Sequence, residues 1–220
     1  MRTNLLLAVV LACAGTAYAD TIKIKQSRTQ DARILAKDVI VVYHDKPTDS
    51  PGGAGGVTYY YWHVRKQDLE KARYNYSRDE TVSVEYSDAE ARKDLIARIL
   101  AGAVRAEVTD VRGGAQEIFC LRARPLPPKG YMYLGHLPDD TPTLKLEGTQ
   151  GVLELNFAAL RSVEFKGKNA VEVVTNEGKT VSGEWKGRYK LFGLTDKGEM
   201  TYVESEDLAR ITFVGKNSRR

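Results

Sequence analysis

The sequence predicts a mainly β protein, α+β overall, with two tandem small β-barrel units preceded by an α+β N-terminal region that carries one amphipathic helix. Three observations predict it. First, residues 144–167 (LKLEGTQGVLELNFAALRSVEFKG) and 191–215 (LFGLTDKGEMTYVESEDLARITFVG) repeat one pattern. In it Leu144 matches Leu191, Gly151 matches Gly198, Leu160 matches Leu208, Phe165 matches Phe213 and Gly167 matches Gly215. Leu153/Met200, Leu155/Tyr202 and Val163/Ile211 keep apolar character. Second, from Val104 onward apolar residues recur at a period of two in short runs broken by Gly, Pro and Asp, the pattern of small antiparallel barrels or sandwiches. Third, Asp88–Ala101 alone shows a sustained helical period.

The first nineteen residues read as a secretory signal peptide: Arg2, an apolar run from Leu5 to Ala14, then Ala17-Tyr18-Ala19 before Asp20. The apolar run is too short for a membrane span, which needs roughly 20 residues. A second reading, lipid modification at Cys13, comes from a loose likeness of Val10-Leu11-Ala12-Cys13 to a bacterial lipobox. Cleavage after Ala19 predicts a periplasmic or secreted protein. It leaves Cys120 as the one cysteine, so packing and not an intramolecular disulfide must supply stability. The formal charge falls from +4 to +3 with the loss of Arg2, and 28% of residues are charged in both signs. Such a surface has no strong field and gives no support to nucleic-acid binding.

In the N-terminal region, residues 20–103, strands are expected at Thr21–Lys25, Asp38–His44, Val57–Val64 and Thr81–Tyr86. Pro47–Gly56 holds four glycines and two prolines in ten residues and reads as a hairpin tip joining the second and third of these. Gln67–Tyr74 is expected to form a helical turn. Ser87 is the expected N-cap of the helix, with Asp88 and Glu90 in the first turn and Gly102 past its end. Ala91, Leu95, Ile99 and Ala103, with Ile96 and Leu100, form its apolar face.

The first barrel unit, residues 104–167, is expected to hold strands at Glu107–Val111, Glu117–Arg122, Met132–Leu134, Leu144–Leu146, Val152–Phe157 and Ser162–Phe165. The second, residues 168–216, holds Val171–Thr175, Thr180–Trp185, Lys190–Leu194, Met200–Val203 and Arg210–Val214; a basic tail, residues 217–220, follows. The upstream halves align as well, Ala106–Arg122 with Val171–Gly187. Each unit also has one helical turn, Ala158-Ala159-Leu160 and Glu206-Asp207-Leu208, before its closing strand, with Leu160 and Leu208 expected to plug the barrel end.

This order of elements resembles the SH3-like and Sm-like small β-barrels, whose fourth and fifth strands are separated by one helical turn. Val171-x-Val173, Gly178 and Gly183 are similar to the first Sm motif. The second Sm motif, which in the family brings a basic residue and glycine to RNA, has no match in Ala209–Phe213, so RNA binding is not implied.

For chemistry, His44 and His63 fall on the two strands joined by the glycine-rich tip. With Asp45 they form a candidate metal site, since imidazole and carboxylate suit zinc or copper. Cys120 with His136 has the composition of a thiol nucleophile and base, but Ile118-Phe119-Cys120-Leu121 reads as a buried strand, where a thiol is inert. Gly52–Gly56 lacks the Lys-Ser/Thr of a phosphate-binding loop. Asp139-Asp140, Glu204, Glu206 and Asp207 read as solvated acids at turns and caps. The aromatic run Tyr59–Trp62 puts Tyr60 and Trp62 on one strand face with Arg65 nearby, a candidate binding platform unless the helix covers it.

These residues point to an exported, non-catalytic binding or assembly protein of the cell envelope, with no cofactor, that docks a protein partner or envelope component on its small barrels. The alternatives are a metal-binding protein or enzyme centred on His44, His63 and Asp45, and a purely structural envelope spacer.

Overall fold

The computed structural model describes residues 19–26, 32–36, 38–45, 57–65, 68–76, 80–126, 140–148, 151–167 and 169–214. Residues 1–18 of the expected signal peptide, with the Cys13 lipid site, the glycine-rich tip, the Met132–Leu134 strand, His136 and the basic tail lie outside them. The described chain is mainly β, with one α-helix, in three sheets.

The first sheet joins β1 (Asp20–Gln26), β2 (Ala32–Ala36) and β6 (Glu80–Glu85) in the order β2-β1-β6. The second is a three-strand meander of β3 (Val39–Asp45), β4 (Val57–Arg65) and β5 (Asp68–Tyr76). β5 replaces the helical turn expected at Gln67–Tyr74. Leu69 and Ala72 have helical spacing, but β5 pairs with β4 without a break from Val57↔Tyr76 to Arg65↔Asp68, and this ladder overrides local propensity.

Asp20 ties these pieces together. Its buried carboxylate accepts hydrogen bonds from the backbone N–H of Val39 (2.8 Å) and of Ser87 (2.9 Å). Ser87 also donates its hydroxyl to Asp20, so it is not the helix N-cap. Asp88 takes that place and accepts from the N–H of Glu90 and Ala91, opening α1 (Ala89–Gly102). As expected, the apolar face turns inward: Ile96 is buried, and Leu95, Ile99 and Leu100 pack beside it against Ile40, Phe192 and Leu194.

The third sheet is a curled half-barrel of ten strands. In chain order they are β7 (Arg105–Asp110), β8 (Ala115–Leu126), β9 (Thr143–Gly148), β10 (Gly151–Asn156), β11 (Leu160–Lys166), β12 (Ala170–Thr175), β13 (Thr180–Glu184), β14 (Arg188–Leu194), β15 (Met200–Glu204) and β16 (Leu208–Val214). In space they run β10-β9-β13-β12-β11-β16-β7-β8-β14-β15. The sequence units 104–167 and 168–216 therefore share one sheet, and each five-stranded half draws strands from both.

The two halves match in register. In one, β11 pairs with β12 through Leu160↔Thr175, Val163↔Val173 and Phe165↔Val171. In the other, β16 pairs with β7 through Leu208↔Asp110, Ile211↔Val108 and Phe213↔Ala106. Both ladders skip one residue, Arg161 and Ala209, at the same bulge. The one ladder pair between β13 and β9, Glu184↔Glu147, has its equivalent in Phe119↔Leu194, one of the pairs between β8 and β14. Turn chemistry repeats too: Asp110 N–H bonds Gly114 O and Thr175 N–H bonds Lys179 O, with Gly113 and Gly178 at positive φ of 85° and 82°. The halves meet where β11 pairs with β16, Ser162↔Thr212, Val163↔Ile211 and Glu164↔Arg210, a pattern unchanged when the halves are exchanged. A pseudo-twofold axis thus passes through the Val163–Ile211 pair.

The repeat matches after the β9–β10 and β14–β15 turns shift by a residue, so Gly151/Gly198 and Leu153/Met200 do not hold, and Met200 corresponds to Val152. Leu144 pairs with Leu155, and its equivalent Leu191 pairs with Val203, so Leu155 corresponds to Val203 and not to Tyr202. The reason is a longer second turn, closed by Thr195 and Glu199 around Gly198, where the first is closed by Gly148 and Gly151. Inside the sheet, Val163, Ile211, Val173, Val108, Leu144 and Leu191 form a buried apolar core. Leu160 and Leu208, the expected plugs, are buried in it after 3-10 turns at Phe157–Ala159 and Ser205–Asp207.

Candidate functional site

The residues singled out for binding, Tyr60, Trp62 and Arg65, all lie on β4, opposite Tyr43, Val41 and, on the other side, Asp68. Their side chains are outside the described ones. His44 and His63 do fall on paired strands, but His44 stands opposite Tyr59 and His63 opposite Val39, while Asp45 stands opposite Thr58. The two histidines are thus set four residues apart along the ladder, about 13 Å at 3.3 Å per residue. Among the described residues no group of three or more His, Cys, Asp or Glu is placed to hold a metal ion, and no helix is long and apolar enough to cross a membrane.

Cys120 sits on β8 with a positive φ of 57°, where the β8–β14 register shifts. Burial pushes its thiol up to about 11, with Arg122 pulling weakly the other way, so the thiolate nucleophile is suppressed.

The turn acids divide. Asp140 is buried, not solvated, and faces Arg122 and the fully buried Arg124, each at 3.6 Å. Arg124 also lies over the Phe192 ring at 4.9 Å. Glu204 and Glu206 grip Arg188 at 3.0 and 2.9 Å. These carboxylates are held by guanidinium groups, so a pair of free acids for catalysis is not formed there.

A groove of about 780 Å³ lies where β11 and β16 splay apart, lined by Phe165, Trp185, Arg188, Glu206 and Leu208. Trp185 stacks on Tyr189 (4.4 Å) and leans on Phe165 (5.5 Å), which makes this wall part of the core seam.

Both ends of the ten-stranded sheet carry exposed apolar groups, as do Leu35 on β2 and Val111 after β7. β10 is one end and β15 the other. On β10, Val152 is 67% and Leu153 42% exposed; on β15, Tyr202 is 59% exposed under the Lys190 ammonium at 4.6 Å. An edge strand presents unpaired N–H and C=O groups, and exposed apolar side chains beside them make it a template for another strand. The two ends differ in cover. β15 packs against β3, and Met200 joins the cluster of Ile40, Ile96, Phe192 and Leu194. At the places of Phe192 and Leu194 the other half has Lys145 and Glu147, both exposed, so nothing apolar is offered there for a helix to cover. Sequence reasoning missed β10 as a site. Its signal was the adjacent pair Val152-Leu153, which breaks strict alternation on a strand with no Pro or Lys.

No family model matches the chain, and no curated protein or solved structure matches it significantly.

Proposed function

We propose that this protein is an exported, non-catalytic binding or assembly factor of the cell envelope, periplasmic or secreted after cleavage at Ala19. It uses two SH3-like or Sm-like half-barrels as its docking body. The single observation that supports it most is the asymmetry of the sheet ends: two pseudo-equivalent halves, one end packed on one face against the chain's own α1 and β3 through Met200, the other with Val152 and Leu153 exposed. The 3-10 turn before each fifth strand, Phe157–Ala159 and Ser205–Asp207, is the feature that the small-barrel resemblance calls for. The central pairing of Val163 with Ile211 joins the halves into one sheet that can present a partner surface.

The test is in-cell crosslinking of the tagged full-length chain in its own envelope, followed by purification and peptidoglycan sedimentation. A defined partner in stoichiometric yield, or co-sedimentation with the wall, is expected. Absence of both, in cells where the chain is exported and folded, would overturn the reading.

A further inference from the structure

We infer that side-chain size and charge at two strand crossings decide which hairpin closes which half of the ten-stranded sheet. This is a conformational device: it holds the chain in the exchanged pairing and out of the tandem pairing that its two sequence units would otherwise allow. It stands whether or not the chain docks a partner.

The two pairings compete because the hairpins are interchangeable on one side. Hairpin β7–β8 belongs to the sequence unit of β11, and hairpin β12–β13 to that of β16, yet β7 pairs with β16 and β12 with β11. In one ladder Val173 faces Val163 and Val171 faces Phe165; in the other Val108 faces Ile211 and Ala106 faces Phe213. Exchanging the hairpins would put Val108 where Val173 stands and leave each hairpin facing a phenylalanine. These two ladders therefore discriminate little between the hairpins.

The discrimination lies on the other strand of each hairpin, β13 and β8. Gly183 of β13 lies beneath Leu146 of β9, where a Cβ would meet the Leu146 Cβ at 3.2 Å and the Glu147 carbonyl oxygen at 3.0 Å. Ile118 of β8 lies over Gly193 of β14, its Cγ2 2.5 Å from where a Cβ would stand. Gly183 and Ile118 are equivalent, facing Val171 and Ala106, and so are Leu146 and Gly193, each one residue before the Glu147 and Leu194 that pair across the crossing. Tandem pairing would press Ile118 on Leu146, two branched chains in a space for one. It would also set Gly183 against Gly193 with no side chain between them. Overpacking and cavities each destabilise.

The next ladder position adds charge. Glu184 stands opposite Glu147, and Lys186 holds Glu147 at 2.6 Å and Glu184 at 3.9 Å. The equivalent pair is apolar: Leu194 is fully buried with Ile96 of α1, and Phe119 packs against the same cluster. Tandem pairing would bring Glu184 against this cluster and Phe119 against Glu147, which would lose Lys186. A carboxylate set against an apolar cluster is costly, so both crossings reject the same alternative.

The experiment inverts the sizes in the chain lacking residues 1–19, labelled with ¹⁵N and ¹³C, by Ile118→Gly, Gly183→Ile and the two combined. Each single change is expected to lower the folding equilibrium constant at least about tenfold in urea unfolding. The sites lie in different halves, so without an alternative pairing the losses multiply to about a hundredfold. The double variant restores size matching in the tandem pairing and is expected to be at least about tenfold more stable than that product. Its cross-strand NOEs are expected to change partners, from Ala106–Phe213 and Val171–Phe165 to Ala106–Phe165 and Val171–Phe213. A folded double variant that keeps only the original NOEs would overturn the proposal. If the double variant unfolds, the milder pair Ile118→Ala and Gly183→Ala decides: losses smaller than their product, with the new NOEs, support it, and losses that simply multiply, with the original NOEs alone, overturn it.

Discussion

Ile118 closes over Gly193 across β8 and β14: a Cβ on Gly193 would lie 2.5 Å from Ile118 Cγ2 and 2.3 Å from the Phe119 carbonyl oxygen. In the other half the sizes are exchanged, with Gly183 beneath Leu146, where a Cβ would meet the Leu146 Cβ at 3.2 Å. Each half thus fills the same crossing with one glycine and one branched chain. The duplicated architecture has been kept while the side chains that pack it changed places.

Gly193→Ala is therefore expected to be costly, because the closest obstacle is backbone and cannot rotate away. A loss of about 2–3 kcal/mol or more in urea unfolding is expected, toward the upper end of overpacking effects. Adding Ile118→Ala removes only one of the two collisions, so rescue should be partial. Wild-type stability of Gly193→Ala alone would contradict this packing.

The Val163–Ile211 pair is expected to respond as the shared core of both halves. Both residues are fully buried. Ile211→Ala should cost about 2–5 kcal/mol, and combining it with Val163→Ala should be non-additive, since the two sit opposite one another. A single cooperative transition that shifts as a whole is expected. Two separated transitions would show that the halves unfold independently.

Much of this fold is legible in the sequence, and the limits have physical causes. The Gly113 and Gly178 turns and the alignment of Ala106–Arg122 with Val171–Gly187 are local signals, and they mark equivalent places. Which hairpin pairs with which is not local. A two-residue period reads the same whether β9 lies beside β8 of its own unit or beside β13 of the next. The Tyr202 mismatch has the same root, since a turn one residue longer at Thr195–Glu199 displaces the strand without changing its alternation. Ser87 and Asp88 are both good caps, and only the long-range bond to Asp20 decides between them. Asp140 looks like a turn acid until Arg122 and Arg124 are folded against it. The β10 edge depends on the strand order of the whole sheet, so Val152-Leu153 alone did not mark it.

Asp20 is expected to anchor the N-terminal region. Asp20→Ala leaves the Val39 and Ser87 N–H groups without their acceptor and should cost about 1–3 kcal/mol. Hydrogen exchange is the sharper measure: these two amides should speed up while those of Val163 and Ile211 stay slow. Unchanged exchange at Val39 would contradict the anchor.

Cys120 supplies a pH test. Its folded thiol is raised from the ordinary 9.0 to about 11 by burial. The neutral thiol is the form the folded state holds, so its contribution is complete below about pH 9 and is lost as pH rises toward 11. Stability should fall by on the order of 2 kcal/mol across that window relative to Cys120→Ala, and iodoacetamide should label the folded protein slowly at pH 8. Rapid labelling at that pH would place the thiol in solvent.

The most direct measurement of the central claim is partner capture in the native envelope by the wild-type chain, side by side with Val152→Lys and Tyr202→Lys. One defined partner is expected with wild type and with Tyr202→Lys, and its loss with Val152→Lys. Equal capture by all three, or none by any, would contradict a docking role for the β10 edge.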